Sequence, residues 1–294
     1  ALTDGELGEL DTLLSLHLNV DSSQQMCNFL YHVRGYSPHY KKEGRRLTSK
    51  ETADELALLK LYTQNEKDPL IYKLLRLRKL VTSTEALGTT TDPDGRIRCG
   101  YNIVGSVTGR LACYQSPTGS GYNLQTVTRK HRRHFCADTG YHFFECDLSG
   151  ADGWTVAAYS YMLGDPTMLE DYRFGLKPAN IIALMYQEGA VVNGYDRPTL
   201  KELARKIDAK GWLYFACKRI YHATDYDVHA PTISDQMLKD SYKLFGEPIY
   251  VPIRECEKIQ HFVHARYRGI RLYQNYIANQ VRTTGCLVAA SGSK

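Results

Sequence analysis

One segment constrains the fold more than any other, because a short apolar run ends there at a carboxylate and a helical pattern follows. The run is Tyr141–Cys146, the carboxylate is Asp147, and the helical pattern covers Trp154–Met162. A short run rich in aromatic residues predicts a strand, and apolar residues every three or four positions predict a helix with one packed face. The sequence therefore predicts a layer of strand and helix with Asp147 at the end of the strand.

The chain before this segment has a helical pattern. Apolar residues recur at helical spacing across residues 70–81, which predicts an amphipathic helix. Basic residues lie away from its apolar face, namely Lys73, Arg76 and Lys79. Ahead of this helix, residues 41–50 carry five Lys or Arg residues around Gly44, which predicts an exposed basic loop.

A turn marks a change of pattern near residue 92. The Pro-Asp-Gly sequence at 93–95 favours a turn, and the β-branched and aromatic residues of 96–104 predict a strand. A Gly-Asp-Pro sequence at 164–166 precedes a stretch that is mostly helical in pattern. Its clearest predicted helices are 200–208, 212–225 and 267–281. We therefore expect an α+β fold that is mostly helical.

Composition excludes several classes of protein. No apolar run reaches the about 20 residues of a transmembrane helix, and 43% hydrophobic with 23% charged residues is typical of a globular chain. The eight cysteines include no C-x-x-C pair, which argues against a zinc ribbon or a disulfide scaffold and favours reduced thiols. The net charge of +5 permits a phosphate-bearing partner without requiring one. We expect no membrane contact and a cytoplasmic location, in the host cytoplasm if a phage encodes the chain.

A basic cluster lies just before the predicted strand. Residues 129–134 are Arg, Lys, His, Arg, Arg and His, and Arg110, Asn123 and Gln125 precede them. Burying such charges without partners is costly, so they stay in water or contact an anion. A solvated charged face is the simpler interpretation. Because Arg beside Asn and Gln also offers hydrogen-bond donors to nucleic-acid phosphates and base edges, nucleic-acid contact is the interpretation we favour.

Asp147 has two interpretations. A carboxylate at a strand end beside the Leu148 carbonyl is a suitable pair of oxygen ligands for Mg²⁺, which keeps several waters and needs few protein groups. The same carboxylate could cap the following helix, which is the commoner role of an isolated Asp. Asp152 follows near the start of that helix, where it could act as a cap or face whatever approaches the metal.

Lys218, His222 and Tyr226 recur every fourth residue in the predicted helix 212–225 and just after it. This spacing places an ammonium, an imidazole and a phenol on one side of the helix, displaced from its apolar stripe. The stripe consists of Trp212, Ala216, Ile220 and Ala223. A lysine suits a polyphosphate and a flat ring suits a base, although both residue types are common on surfaces.

Taken in order, these segments resemble the family A DNA polymerases, the bacterial DNA polymerase I type and its divergent phage relatives. The residues "TGRLACYQSPTGSGYNLQTV" and "RRHF" are similar to the family's T-G-R-L, N-L-Q and R-x-x-F segment. The residues "FFECDLSGAD" are similar to motif A, and "CKRIYHATDYD" is similar to motif B. Upstream, the residues from "LNVDSSQQ" to "RLRKLVTS" resemble the thumb region that holds product duplex.

The resemblance implies part of a polymerase right hand, with a helical thumb, an incomplete antiparallel palm sheet and helical fingers. Residues 1–91 would be the thumb-like region, 92–163 the first palm segment with motif A, and 164–294 the fingers with motif B. The implied activity is template-directed addition of deoxynucleotides to a primer 3′-OH by two-metal phosphoryl transfer. The implied partners are primer–template DNA and a dNTP, and the implied cofactor is a pair of Mg²⁺ ions, which Mn²⁺ can replace.

The resemblance also implies roles for individual residues. Asp147 would be the first metal-binding carboxylate, with the Leu148 carbonyl beside it, and Lys218 would contact the triphosphate as the second catalytic residue. Asp152, His222 and Tyr226 would bind the nucleotide. Primer–template would contact Lys73, Arg76, Arg110, Asn123, Gln125, Arg129, Arg132 and Arg133.

Several positions depart from the family pattern. Gly150, Asp152 and His222 replace the usual Gln, Glu and aromatic residue, and Tyr214 stands where motif B has an arginine. No H-D-E sequence, the mark of motif C, occurs in the chain. We therefore expect a fragment, or one subunit of a split enzyme, that is inactive alone and is completed by a second polypeptide or a C-terminal segment. The alternatives are a non-catalytic primer–template-binding subunit and a relative of single-subunit RNA polymerases.

Overall fold

The computed structural model describes residues 18–44, 46–84, 88, 90–103, 105–106, 109–116, 120–129 and 131–287, without the side chains of 80–84 and 115. The chain divides into two compact units, and the boundary in the sequence lies between Cys146 and Asp147. The division into a thumb-like region, a palm segment and fingers stays a prediction.

The first unit, 1–146, has helices and two small antiparallel sheets among its described residues. The helices are α1 (Ser23–Cys27, continued by a wide helical turn at Asn28–Val33), α2 (Glu55–Gln64) and α3 (Pro69–Thr84). The strands are β1 (Tyr40–Glu43), β2 (Arg46–Glu51), β3 (Cys99–Asn102) and β4 (Ala112–Gln115). Short 3₁₀ turns follow at Leu124–Thr126 and Arg132–His134.

Helices α2 and α3 pack together in the first unit. The Asp54 side chain caps α2 by accepting a hydrogen bond from a first-turn backbone amide at 2.9 Å. The helix predicted at 70–81 is confirmed, since α3 covers it. Its fully buried residues include Leu74, as the apolar pattern predicts. Of the three basic residues away from the apolar face, Lys79 is exposed, and Lys73 and Arg76 are half-buried.

The basic segment 41–50 was expected to be a loop and is instead a hairpin. Strands β1 and β2 pair antiparallel, with Glu43 opposite Arg46. Gly44 between them has a φ of +61°, a left-handed conformation that glycine adopts without strain. Arg45 lies outside the described residues. The expected exposure is confirmed, and the opposite charges across the turn favour the pairing that a loop lacks.

The aromatic run at 141–146 does not form the predicted strand. These residues have no regular structure, and Phe144 is 89% exposed. A strand needs a neighbour that offers backbone hydrogen-bond partners. Among the described residues, β1 pairs with β2 and β3 pairs with β4, so none of these strands pairs with residues 141–146. The strand predicted at 96–104 is confirmed for Cys99–Asn102, and Val104 lies outside the described residues.

The second unit, 147–294, is helical in its described part. Its helices are α4 (Ala151–Met162), α5 (Thr167–Arg173), α6 (Pro178–Glu188), α7 (Arg197–Arg205), α8 (Trp212–Asp225), α9 (Ala230–Phe245), α10 (Ile253–Arg266) and α11 (Gly269–Thr284). Helices α6, α8 and α10 pack against one another. Their fully buried residues, including Ile181, Ile220 and Val263, form the core.

The helices predicted in this unit are confirmed, with shifted ends. Helix α8 has the predicted bounds of 212–225, α4 begins earlier than Trp154, and α7 and α11 overlap 200–208 and 267–281. The glycine of the predicted break, Gly164, has a φ of +100° between α4 and α5. No helix in the described ranges is long and apolar enough to cross a bilayer.

A buried ion cluster joins helices α5, α7 and α10. The fully buried Asp171 accepts hydrogen bonds from Arg266 at 2.8 Å, Arg197 at 3.1 Å and the Tyr267 hydroxyl at 3.2 Å. A buried carboxylate is tolerated when partners of this kind replace its hydration. Since Asp171 and Arg266 lie 95 residues apart, the cluster fixes the long-range arrangement of this unit.

Candidate active site

The second unit contains a pocket of about 310 Å³ beside helix α8. Its walls come from the start of α4, the connection between α5 and α6, and one side of α8. The polar side chains of its lining include those of Ser149, Tyr172, Lys177, Tyr214, Lys218, Tyr221 and His222. A pocket of this volume is at the lower end of the range for small-ligand sites.

Helix α8 places Lys218 and His222 in this pocket. Ala216 and Ile220 of the predicted apolar stripe are buried and hold the other side of the helix against the core. Lys218 is exposed and His222 is half-buried, so ammonium and imidazole line the same cavity. Burial lowers the pKa of His222, and the neighbouring Lys218 lowers it further. The imidazole is therefore neutral near pH 7 and offers a flat ring and a hydrogen-bonding nitrogen.

Tyr226 lies just past the helix rather than within it, because α8 ends at Asp225 and Tyr226 is its C-cap. Its hydroxyl donates a hydrogen bond to Asp152 Oδ2 at 2.8 Å. Asp152 lies in the first turn of α4, 74 residues earlier in the chain. Neither residue lines the 310 Å³ pocket. This hydrogen bond directly joins the two segments that carry the predicted nucleotide-binding residues.

Close packing between α4, α5 and α8 fixes this arrangement. The Tyr172 and Tyr221 hydroxyls lie 3.1 Å apart beneath Gly153. A Cβ at Gly153 would stand 2.1 Å from the Tyr172 hydroxyl, so only glycine fits there. The Trp154 and Tyr172 rings stack with centroids 4.9 Å apart at the pocket wall.

Asp225 is a buried acid that the sequence analysis did not select. It is 3% exposed, and both of its carboxyl oxygens are buried. Burial raises the pKa of Asp225 to about 8, with the Tyr221 hydroxyl acting against this rise and the nearby Asp152 carboxylate adding to it. The available signal was its spacing, four residues after Tyr221, which places the two side chains on the same side of α8.

Asp147 and Leu148 precede α4 in an exposed segment without regular structure. The helix-cap interpretation of Asp147 is wrong, because the N-cap of α4 is Gly150 and no side chain caps it. One exposed carboxylate beside an exposed backbone carbonyl fits Mg²⁺, which takes oxygen ligands and retains waters. Within the described ranges, no three His, Cys, Asp or Glu side chains are grouped to hold a metal.

The predicted DNA-binding arginines between residues 110 and 133 are exposed, and one of them forms an ion pair. Arg110, Arg129 and Arg133 are exposed, and Arg132 is exposed but pairs with Glu145 at 2.6 Å. Lys130 lies outside the described residues.

Asn123 and Gln125 have structural contacts that the sequence did not predict. Asn123 caps a 3₁₀ turn by accepting a hydrogen bond from the Gln125 amide at 3.1 Å. The Gln125 side chain accepts one from the Cys113 amide at 3.1 Å and donates one to the Leu111 carbonyl at 3.1 Å. Gln125 thus fastens its turn to the chain at β4.

Comparison with known proteins supports the same family. The family model described as DNA polymerase family A matches residues 8–178, which is more than half of the chain. DNA polymerase I of Treponema pallidum (strain Nichols) is 22% identical over 291 residues, which are 97% of this chain and 25% of that protein. DNA polymerase I of Chloroflexus aurantiacus is 29% identical over 175 residues, or 54% of this chain and 17% of that protein. The chain thus spans a quarter or less of these relatives.

The fold also matches a solved structure, the POL domain of Pol1 from M. smegmatis in complex with DNA primer-template and dNTP. The TM-score is 0.63 at 20% identity, over 94% of this chain and 43% of that one. The expected α+β fold of a partial polymerase domain is confirmed by this likeness. The chain belongs to DNA polymerase family A.

Proposed function

We propose that this chain carries the nucleotide-binding and primer–template-binding part of a template-directed DNA polymerase that extends a primer 3′-OH with deoxynucleotides. The observation that carries the proposal is the Tyr226–Asp152 hydrogen bond of 2.8 Å. It joins the motif A and motif B segments beside a pocket that Lys218 and His222 line. A cation and a neutral imidazole on α8, with the phenol of Tyr226 just past the end of that helix, match the chemistry of a nucleoside triphosphate.

Each side chain has a distinct part in this proposal. The Lys218 ammonium binds the triphosphate as a compact charge. The neutral His222 ring contacts the incoming nucleotide without adding charge to the pocket. In this proposal Tyr226 stacks on the templating base, and its hydrogen bond orients the Asp152 carboxylate against a ribose 2′-OH, which favours deoxynucleotides.

We propose that a group from outside the given 294 residues completes the metal site. Asp147 and the Leu148 carbonyl would hold Mg²⁺, which lowers the pKa of the primer hydroxyl and neutralises charge on the phosphates during transfer. Two such ions need a second carboxylate. We propose that a second polypeptide, or a further segment of the same protein, supplies that carboxylate, and that the 294-residue chain alone does not extend primers.

Duplex binding tests the DNA-binding part of the proposal. If about five phosphates are neutralised, log K is expected to fall against log salt concentration with a slope of roughly −4 to −5. Changing Arg132 and Arg133 to Glu should weaken binding equally for all duplex sequences and flatten the slope, because phosphate contacts carry no sequence information. Fluorescence anisotropy with labelled primer–template, titrated at several salt concentrations, measures both effects.

A matched control separates a local contact from a general charge effect. Lys243→Glu with Arg254→Glu makes the same charge change at exposed positions of α9 and α10. We expect this control to bind duplex within a few-fold of the unaltered chain. Binding that ignores salt, or an equal loss in both double variants, would contradict the assignment of Arg132 and Arg133.

A further inference from the structure

A second, smaller pocket adjoins the candidate nucleotide pocket. Its volume is about 180 Å³, and it lies between the start of α6 and helix α7. The two pockets share four lining residues, Gly175, Leu176, Lys177 and Tyr214. Tyr214 is one helical turn before Lys218 on the same face of α8, so a ligand that leaves Lys218 along this face passes over Tyr214 into the second pocket.

The second pocket is strongly cationic. Lys177, Lys201 and Arg205 line it, and none of its lining residues, all of them described, is acidic. Lys201 is fastened at the rim, since its ammonium donates a hydrogen bond to the Phe174 carbonyl at 3.0 Å and lies 4.9 Å from the centre of the Phe174 ring. An ammonium has two more hydrogens for an anion after that bond is made.

Contacts of helices α6 and α7 with each other and with the core hold the walls of this pocket in place. The Asn180 side chain donates a hydrogen bond to the Ala204 carbonyl at 3.3 Å and so joins α6 to α7. Leu200 and Ala204 of α7 are buried and anchor the same helix in the core. The positions from which Lys201 and Arg205 extend are therefore fixed relative to Lys177.

We propose that this second pocket binds inorganic pyrophosphate, the leaving group of nucleotide addition. In that reaction the primer 3′-hydroxyl loses its proton to solvent and its oxygen forms a bond to the α-phosphorus. The bond from the α-phosphorus to the bridging oxygen breaks, and its electron pair leaves with pyrophosphate. The pocket is smaller than the about 300 Å³ of sites for drug-sized ligands, so it suits a small polyanion better than a whole nucleotide. The assignment rests on the proposed nucleotide site at Lys218.

Isothermal titration of the 294-residue chain with sodium pyrophosphate, without Mg²⁺ and at fixed salt, tests this assignment. Changing Lys201 and Arg205 to Gln should weaken pyrophosphate binding at least tenfold and leave dGTP binding within threefold. Lys218→Gln should weaken dGTP binding at least tenfold and leave pyrophosphate binding within threefold. Lys206→Gln with Lys210→Gln removes the same charge from residues outside both pockets, and is expected to change neither affinity by more than threefold. Circular dichroism and melting temperature show whether each variant is folded. If the variant with both Lys201 and Arg205 changed is not folded, Lys201→Gln alone is the test variant.

Three results would overturn the assignment. One is no pyrophosphate binding by the unaltered chain at millimolar concentration. Another is an equal loss in the Lys206 and Lys210 control, which would indicate a general charge effect. The last is a loss in Lys218→Gln only, which would place pyrophosphate in the nucleotide pocket. If dGTP binding is unchanged in Lys218→Gln, the proposed nucleotide site fails, while the Lys201 and Arg205 result still decides where pyrophosphate binds.

Discussion

Changing Asp147 to Asn in the completed enzyme is expected to lower turnover at least a hundredfold while duplex affinity stays within a few-fold. Asn keeps the size of the side chain and removes the charge that would hold Mg²⁺ against the reacting phosphate. Metal ligands act on the transition state, so their loss appears in turnover rather than in binding. A hundredfold loss corresponds to about 3 kcal/mol, a modest share of what a metal ion contributes.

Single-turnover primer extension and duplex titration measure the two quantities. The control is Asp208→Asn, which removes an exposed carboxylate of the second unit that the proposal does not use. A variant of Asp147 that keeps its turnover and mainly lowers the melting temperature would show that this carboxylate is structural.

Changing Asp225 to Asn is expected to stabilise the fold, and the gain should grow with pH. The pKa of Asp225 is raised from 3.8 to about 8 in the folded chain, so between these pH values the folded state binds more protons than the unfolded state. Stability then falls as pH rises through this window, and the loss is complete above the folded pKa. At about 1.4 kcal/mol per pH unit, the penalty reaches roughly 5 kcal/mol near pH 8. Because Asn does not titrate, Asp225→Asn removes this penalty.

Urea unfolding of both forms at pH 5, 6, 7 and 8 measures this difference. The exposed Asp227, paired with Arg271 at 3.0 Å, supplies a control, since Asp227→Asn should change stability little and without a slope across this range. A stability difference for Asp225→Asn that is constant with pH, or that shrinks as pH rises, would contradict a neutral buried carboxyl.

The spacing of apolar residues predicted the helices, because helix formation depends on residues that are close together in the chain. Helix α8 has the predicted bounds because its apolar residues, among them Ala216 and Ile220, recur at helical spacing and find a core. The same pattern placed Lys218 and His222 on one side, and the structure brings both into one pocket. The family resemblance implied that Asp152 and Tyr226 both bind the nucleotide, but neither the resemblance nor the spacing predicted the hydrogen bond between them.

Parts that depend on distant partners were not predictable in this way. The aromatic run at 141–146 has the composition of a strand, yet a strand forms only beside another. Gln125 has the chemistry of a DNA contact, yet its amide bonds the backbone near β4. The cluster around Asp171 needs an arginine 95 residues away, a distance that no sequence window covers.

The central claim is that the pocket on α8 binds a nucleotide chosen by a template. The most direct measurement is the affinity of each of the four dNTPs for the chain bound to a primer–template whose primer ends in a dideoxynucleotide, so that no bond can form. We predict that the complementary dNTP binds at least tenfold more tightly than the others and that this preference follows a change of the templating base. We also predict that Lys218→Gln weakens the binding of all four dNTPs. Equal affinity for all four dNTPs, with duplex binding intact, would contradict the claim and favour a subunit that only holds primer–template.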